Sequence, residues 1–289
     1  MTKSGSEQTD DKMEKVWVAP RRIEELFEKS GGNAWGKINA PTAGARDLHD
    51  PAPAPVPNKD LVLYSLGTPN GLKVAIVLEE LGLDYNYHRI DISKGDQFKK
   101  FFVDVNPNSK IPAMIDRNGP GGAPVRLFES IAIAMYLVEK EQKFFFENDP
   151  ASKLEATNWL IWQVGSQGFP IGNFGHFFVY APKDAADARD YGVSRYGMEA
   201  LRLCDVLEKH LHEGKKTYLV GETYSVADMI CFPWVWQLLQ GSYVQPDGLT
   251  AAEFLGIREK FPTMCEWAER IATRPAVQAA IDRASKPDL

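Results

Sequence analysis

Cysteine is scarce and poorly placed for chemistry of its own. The chain of 289 residues has three, Cys204, Cys231 and Cys265, too far apart to form a C-x-x-C dithiol or a zinc knuckle. All three fall in apolar or helical sequence, where a thiol behaves as a small buried hydrophobe. Long apolar runs are missing as well: no stretch reaches the roughly 18 residues that a membrane-spanning helix needs. Positive charge is in deficit, with a net charge of -6 at pH 7, which argues against a general nucleic-acid binder. The first residues are polar and acidic, without an apolar signal-peptide core, so a cytoplasmic protein is expected, with no membrane and no nucleic acid among its partners. Sulfur chemistry here would have to use a thiol brought by a substrate.

What is present is the composition of an ordinary folded protein, 44% hydrophobic, with length for two domains. Residues 1–59 read as an N-terminal extension. Its first 14 or so residues are polar and expected to be disordered. Trp17, Phe27, Trp35 and Ile38 do not fit a disordered tail, so the rest of the arm is expected to lie across the folded body.

Regular patterning fills residues 60–143. Leu61–Leu66 reads as a strand buried on both faces. Thr68, Pro69 and Asn70 then open a helix carrying Val74, Val77, Leu78 and Leu81 on one face, stopped by Gly82. Tyr85–Ile92 alternates like a strand, which implies a right-handed parallel crossover. After a short helical stretch near Gln97–Phe102, Asn108–Ile115 and Val125–Phe128 flank a Gly-rich turn and are expected to pair as a hairpin. Glu129 and Ser130 start the next helix. Residues 150–289 are helical throughout: Leu154–Val164, Tyr191–Leu211, a helix opened by Ser225 and Asp228 as N-cap and N3, and helices from Glu253 to Ile281 broken at Pro262 and Pro275. Gly165 to Pro182 is rich in glycine and aromatics, including Phe169, His176 and Tyr180.

The helix opening at Thr68 is the first chemical signal. A helix N-terminus has unpaired N–H groups and partial positive charge, so it favours anions, a thiolate included. Thr68 offers a hydroxyl and Asn70 an amide, while Pro69 at the first helical position sacrifices no needed donor. The plain alternative is that Thr68 only caps the helix.

The order β-α-β-α-β-β-α is the thioredoxin-like arrangement. Within it, Ser65-Leu-Gly-Thr-Pro-Asn-Gly71, Asn106-Pro-Asn-Ser-Lys-Ile-Pro112 and Phe128-Glu-Ser-Ile131 resemble the N-terminal domain of glutathione transferases. More narrowly they resemble the bacterial nu class, related to a yeast nitrogen-catabolite regulator, and the resemblance covers roughly residues 35 to 285. It implies an α/β thioredoxin-like domain followed by an all-α domain, with glutathione as co-substrate and no metal. Thr68 and Asn70 would hold and activate the glutathione thiolate beside Pro69, with Ser65 the rival hydroxyl. Ile111, ahead of a cis Pro112, would pair with the cysteinyl backbone. Glu129 and Ser130 would take the γ-glutamyl ammonium and carboxylate, and Gln97 would donate to a carboxylate. Asn39 matches a contact made by the extension, and Arg195 a cation for a second glutathione, with Gln163 a polar neighbour and His176 and Tyr180 near the second pocket. Gly168-Phe-Pro-Ile171 departs from the family wording there. The activity implied is reduction of small or mixed disulfides, by two glutathione molecules or one glutathione disulfide held per chain, in a homodimer. Conventional transfer to electrophiles or peroxides, and a non-catalytic glutathione-binding regulator, are the alternatives.

Overall fold

The computed structural model describes residues 20–22, 57–181 and 186–286. The arm residues Trp17, Phe27, Trp35, Ile38 and Asn39 lie outside the described residues.

The chain enters the sheet with β1 (Leu61–Ser65), buried along its whole length as the apolar run requires. Helix α1 (Pro69–Leu81) follows. Its stop is chemical: Gly82 has φ 68°, and the N–H groups of Gly82 and Leu83 bond back to Glu79 and Leu78 carbonyls at 3.1 and 3.0 Å. Strand β2 (Tyr85–Arg89) lies parallel to β1, Leu61 opposite Tyr85. It ends three residues before the alternation does, because Asp91 accepts from the Ser93 N–H and turns the chain. A short α2 (Lys100–Val103) crosses to β3 (Ala113–Asp116). That strand is antiparallel to β1 and forms the expected hairpin with β4 (Val125–Phe128). The sheet order is β2-β1-β3-β4, and α3 (Ser130–Glu141) closes a thioredoxin-like domain. Two apolar layers hold it. Leu63, Val74, Val77, Leu78, Ile133 and Leu137 fill the side shared with the helices, and Val62, Tyr64, Ile90 and Phe102 fill the other.

The second domain is all helical: α4 (Pro150–Trp162), α5 (Gly168–Gly175), α6 (Ala186–Glu213), α7 (Val226–Gln240), α8 (Ala251–Leu255), α9 (Ile257–Lys260), α10 (Pro262–Ala272) and α11 (Pro275–Ser285). The stretch rich in glycine and aromatics is helical too. Two π turns, Gln163–Gln167 and His176–Tyr180, flank α5, and each closes with an i→i+5 bond, Gly168 N–H to Gln163 and Ala181 N–H to His176. Asp228 anchors α7 as its spacing predicts. One carboxylate oxygen accepts from the Leu219 N–H and Trp267 Nε1, both at 2.9 Å, and the other from the Ser225 N–H at 3.0 Å. Burial pushes its carboxyl up to about 6.

Helix α1 joins the two domains. Arg274 at the start of α11 donates to both carboxylate oxygens of Glu80 at 2.5 and 2.8 Å, and Arg283 pairs with Glu79 at 3.0 Å.

Candidate functional site

A cavity of about 980 Å³ lies between the domains. Its thioredoxin-side wall consists of Thr68, Pro69, Asn70 and Lys73 from the start of α1, Gln97 from the β2–α2 connection, Ile111 ahead of β3, and Glu129 and Ser130 at the start of α3. The helical side adds Ile161, Gln163, Val164, Gly168, Phe169, Asn173, His176 and Trp234. Two helix N-termini and one strand edge meet a largely apolar opposite wall, an arrangement suited to an anionic, peptide-like ligand.

Thr68 is the N-cap of α1, its Oγ1 accepting from the Gly71 N–H at 3.3 Å. Capping uses the oxygen and leaves the hydroxyl proton to donate. Asn70 is held from across the cavity, its Oδ1 accepting from Trp234 Nε1 at 3.0 Å. Ser65 is fully buried beneath the turn and lines no part of the cavity. A Cβ on Gly71 would come within 2.4 Å of its Oγ and 2.1 Å of the Leu66 carbonyl, so only glycine lets α1 start this close to β1.

Ile111 precedes a cis peptide bond to Pro112. Among the described residues its N–H and C=O enter no turn or loop hydrogen bond, which leaves both for an extended partner. Glu129 caps α3 with φ 69°, a left-handed conformation uncommon for a residue with a Cβ. Ser130, 9% exposed, is the first residue of that helix.

Lys73 is the unexpected occupant. It is 2% exposed, and its Nζ donates to Gln163 Oε1 at 2.6 Å. Burial of an ammonium without a carboxylate partner costs several kcal/mol, and burial accordingly lowers the Lys73 amine to about 7. The cysteines stand apart: all three are buried, none lines the cavity, and burial pushes their thiols up, Cys265 to about 11. Among the described residues, no cluster of His, Cys, Asp and Glu could hold a metal ion.

Residues 59–139 match the model of the glutathione S-transferase N-terminal domain, and residues 176–275 that of the C-terminal domain. The chain belongs to the glutathione S-transferase family. The disulfide-bond oxidoreductase YghU of Escherichia coli is 41% identical over 270 residues, covering 91% of this chain and 85% of the relative. A glutathione transferase YghU from Streptococcus pneumoniae, solved with glutathione, is 40% identical with a TM-score of 0.80, covering 92% of this chain and 97% of the other. A glutathione transferase family member from Pseudomonas fluorescens, solved with two glutathione bound, is 40% identical with a TM-score of 0.69, covering 76% of this chain and 92% of the other.

Within this glutathione S-transferase fold, the structure gathers Thr68, Pro69, Asn70, Gln97, Ile111, Glu129, Ser130, Gln163 and His176 around one cavity. Other expected residues stand elsewhere. Pro112 backs the wall without lining it. Arg195 is exposed on α6, its guanidinium 5.9 Å from the ring of Tyr196, and Tyr180 faces Ser242; neither lines the cavity. Gln97 is differently oriented from the donor role expected. Its Nε2 points to the Ile92 carbonyl at 3.4 Å, and its buried Oε1 has no partner among the described residues.

Lys73 and Trp234 were not among the expected site residues. Lys73 left a trace in the sequence, since it stands four residues before Val77 and therefore on the apolar face of α1. Trp234 left none, because α7 is apolar almost all round.

Proposed function

We propose that this glutathione S-transferase is a glutathione-dependent disulfide-bond reductase of the nu class. Its thioredoxin-like and helical domains would span residues 60–143 and 150–289, in a cytoplasmic homodimer. The observation that carries the reading is a roomy interdomain cavity at the start of α1 that none of the chain's cysteines reaches. The nucleophilic sulfur then comes from glutathione, in keeping with a relative named as a disulfide-bond oxidoreductase and another solved with two glutathione bound.

A free thiol has a pKa near 8.5 and is mostly protonated at neutral pH, and lowering it by about two units takes roughly 2.7 kcal/mol of preferential stabilisation of the anion. A hydrogen bond from Thr68 or Asn70 to a thiolate contributes about 1.5–3 kcal/mol, and the α1 N-terminus about 0.3–1 kcal/mol. Together they supply about 1.8–4 kcal/mol, a range that spans the requirement. Ile111 would pair with the cysteinyl backbone, Ser130 and the α3 N-terminus with the γ-glutamyl carboxylate, and Glu129 with the γ-glutamyl ammonium. Pro69 shapes the turn, Pro112 sets the strand edge, and Gln97 would donate to the tripeptide once its Nε2 turns from the Ile92 carbonyl. Asn39 and Arg195 would complete contacts with the first and second glutathione. The thiolate attacks one sulfur of a small or mixed disulfide, a new S–S bond forms as the old one breaks, and the second sulfur leaves with the electron pair.

The test is a coupled assay with glutathione and 2-hydroxyethyl disulfide. Turnover is expected, with at least a tenfold loss of kcat/KM in both Thr68→Ala and Asn70→Ala and most of the activity kept in Thr68→Ser. Glutathione binding without turnover would overturn the enzyme reading in favour of a binding module. Calorimetry on wild type and Arg195→Ala counts the glutathione molecules per chain.

A further inference from the structure

A buried cation lies on the cavity wall with nothing in the proposed mechanism to employ it. Lys73 has three N–H bonds and, among the described residues, one hydrogen-bond acceptor, the neutral Oε1 of Gln163. The other end of that amide is also uncommitted: Gln163 is 1% exposed, and its buried Nε2 has no partner among the described residues. Gly168 shows how near these groups are to Asn70. A Cβ there would sit 3.1 Å from Gln163 Nε2 and 3.2 Å from Trp234 Nε1, the donor to Asn70. Lys73, Gln163, Trp234 and Asn70 thus form one polar cluster on the cavity wall, with spare donors and a positive charge.

Spare buried donors beside a cavity point to an anion that occupies it. We propose that Lys73, oriented by Gln163, is the proton-transfer residue of thiol–disulfide exchange: it takes the proton of an entering glutathione thiol and returns it to the departing thiolate. Neutral Lys73 accepts the S–H proton, giving a thiolate paired with an ammonium. The thiolate attacks the disulfide, one S–S bond forms and the other breaks, and the electron pair leaves on the second sulfur. Lys73 gives that sulfur its proton and is neutral again. Glutathione is oxidised, the disulfide is reduced, and no further reagent is consumed. This rests on the reductase reading of the cavity.

A lysine lowered to about 7 by burial suits both directions of transfer at neutral pH. The titratable groups that bear on it are few. Glu129 at the start of α3 and the Cys231 thiol on α7 both raise its affinity for a proton, without offsetting burial, and His176 lines the same cavity, burial lowering its ring nitrogen. The acids of its own helix are engaged elsewhere, Glu79 with Arg283 and Glu80 with Arg274.

The experiment follows the ultraviolet absorbance of bound glutathione thiolate across about pH 5–9, and disulfide turnover, in wild type, Lys73→Met and Lys73→Arg of the full chain. Lys73→Met should raise the pH of thiolate formation by at least one unit and lower kcat at least tenfold, with KM for glutathione within threefold. Lys73→Arg keeps the charge but cannot release its proton at neutral pH, so it should restore the thiolate titration while kcat stays low. An unchanged titration and kcat in Lys73→Met overturns the proposal and makes Lys73 a tie between domains. Full turnover in Lys73→Arg overturns the proton transfer. If a variant fails to fold, NMR of wild type with 13C-ε-lysine decides. Lys73 should titrate near neutrality alone and clearly higher with glutathione bound, and an ordinary lysine titration in both overturns the proposal. Absence of disulfide turnover in wild type would refute the reductase reading alone, since the thiolate and lysine titrations judge Lys73 without turnover.

Discussion

Asn70 is fixed by a residue 164 positions away, Trp234, whose indole N–H engages its side-chain oxygen. With the oxygen occupied, the amide keeps its two N–H protons for an anion. Trp234→Phe retains an aromatic ring but deletes that donor. The expected result is a three- to tenfold fall in kcat/KM for glutathione-dependent reduction, with about 1–2 kcal/mol lost from unfolding stability. Kinetics and urea unfolding read the two separately; an unaltered kcat/KM would show that Asn70 is oriented from within its own helix. This is also where legibility at the residue scale ends. Thr68, Pro69 and Asn70 are contiguous, and Glu129-Ser130 is a dipeptide at a helix start, so local chemistry marks them. The Lys73–Gln163 and Asn70–Trp234 pairs depend on two chain segments meeting, 90 and 164 residues apart, and nothing local in the sequence signals such a meeting.

At the scale of elements, the strand and helix order of the first domain was legible because period two and period 3.6 alternate cleanly, with Gly82 as punctuation. The run from Gly165 to Pro182 was not, since glycines and aromatics there hide the helical period. Packing explains the composition. A Cβ on Gly175 would lie 2.0 Å from the Tyr243 ring, and one on Gly192 would lie 2.3 Å from the Phe177 ring, so glycine admits rings against helix backbone and tertiary contact replaces propensity. The opening of α7 was legible for the opposite reason: Ser225 and Asp228 act within one turn. Asp228 uses both oxygens as acceptors of four donors. Asp228→Asn replaces one acceptor by an NH2 facing donors, so a loss of about 2–3 kcal/mol is expected in urea unfolding at pH 7. Below about pH 6 the gap should widen, because the folded wild-type carboxyl binds a proton there that the unfolded chain, titrating at about 4, does not yet bind, and the amide has no such gain. A constant gap across pH 5–8 would show that the buried carboxyl titrates as it does in the unfolded chain and that burial does not raise it.

For the whole molecule, the site exists only while the two domains keep their relation, since Thr68, Asn70 and Lys73 face Gln163 and Trp234 across the cavity. Helix α1 carries the first set and is clamped to α11 at its other end. The Glu80 side chain is 5% exposed and Arg274 31% exposed, the guanidinium lying 3.8 Å from the ring of Tyr224. Among the described residues, Arg274 is the ion-pair partner of Glu80. Removing the arginine strands a buried carboxylate, and breaking a pair of this kind costs about 3–5 kcal/mol when fully buried, so roughly 2–4 kcal/mol is expected for Arg274→Ala with its partly exposed cation. Glu80→Gln combined with Arg274→Ala should regain at least half of that loss, because the uncompensated charge is gone. Urea unfolding of the two single variants and the double variant, closed as a thermodynamic cycle, measures the coupling. Strictly additive losses would show that α1 and α11 are held by apolar packing and that the clamp adds orientation without stability.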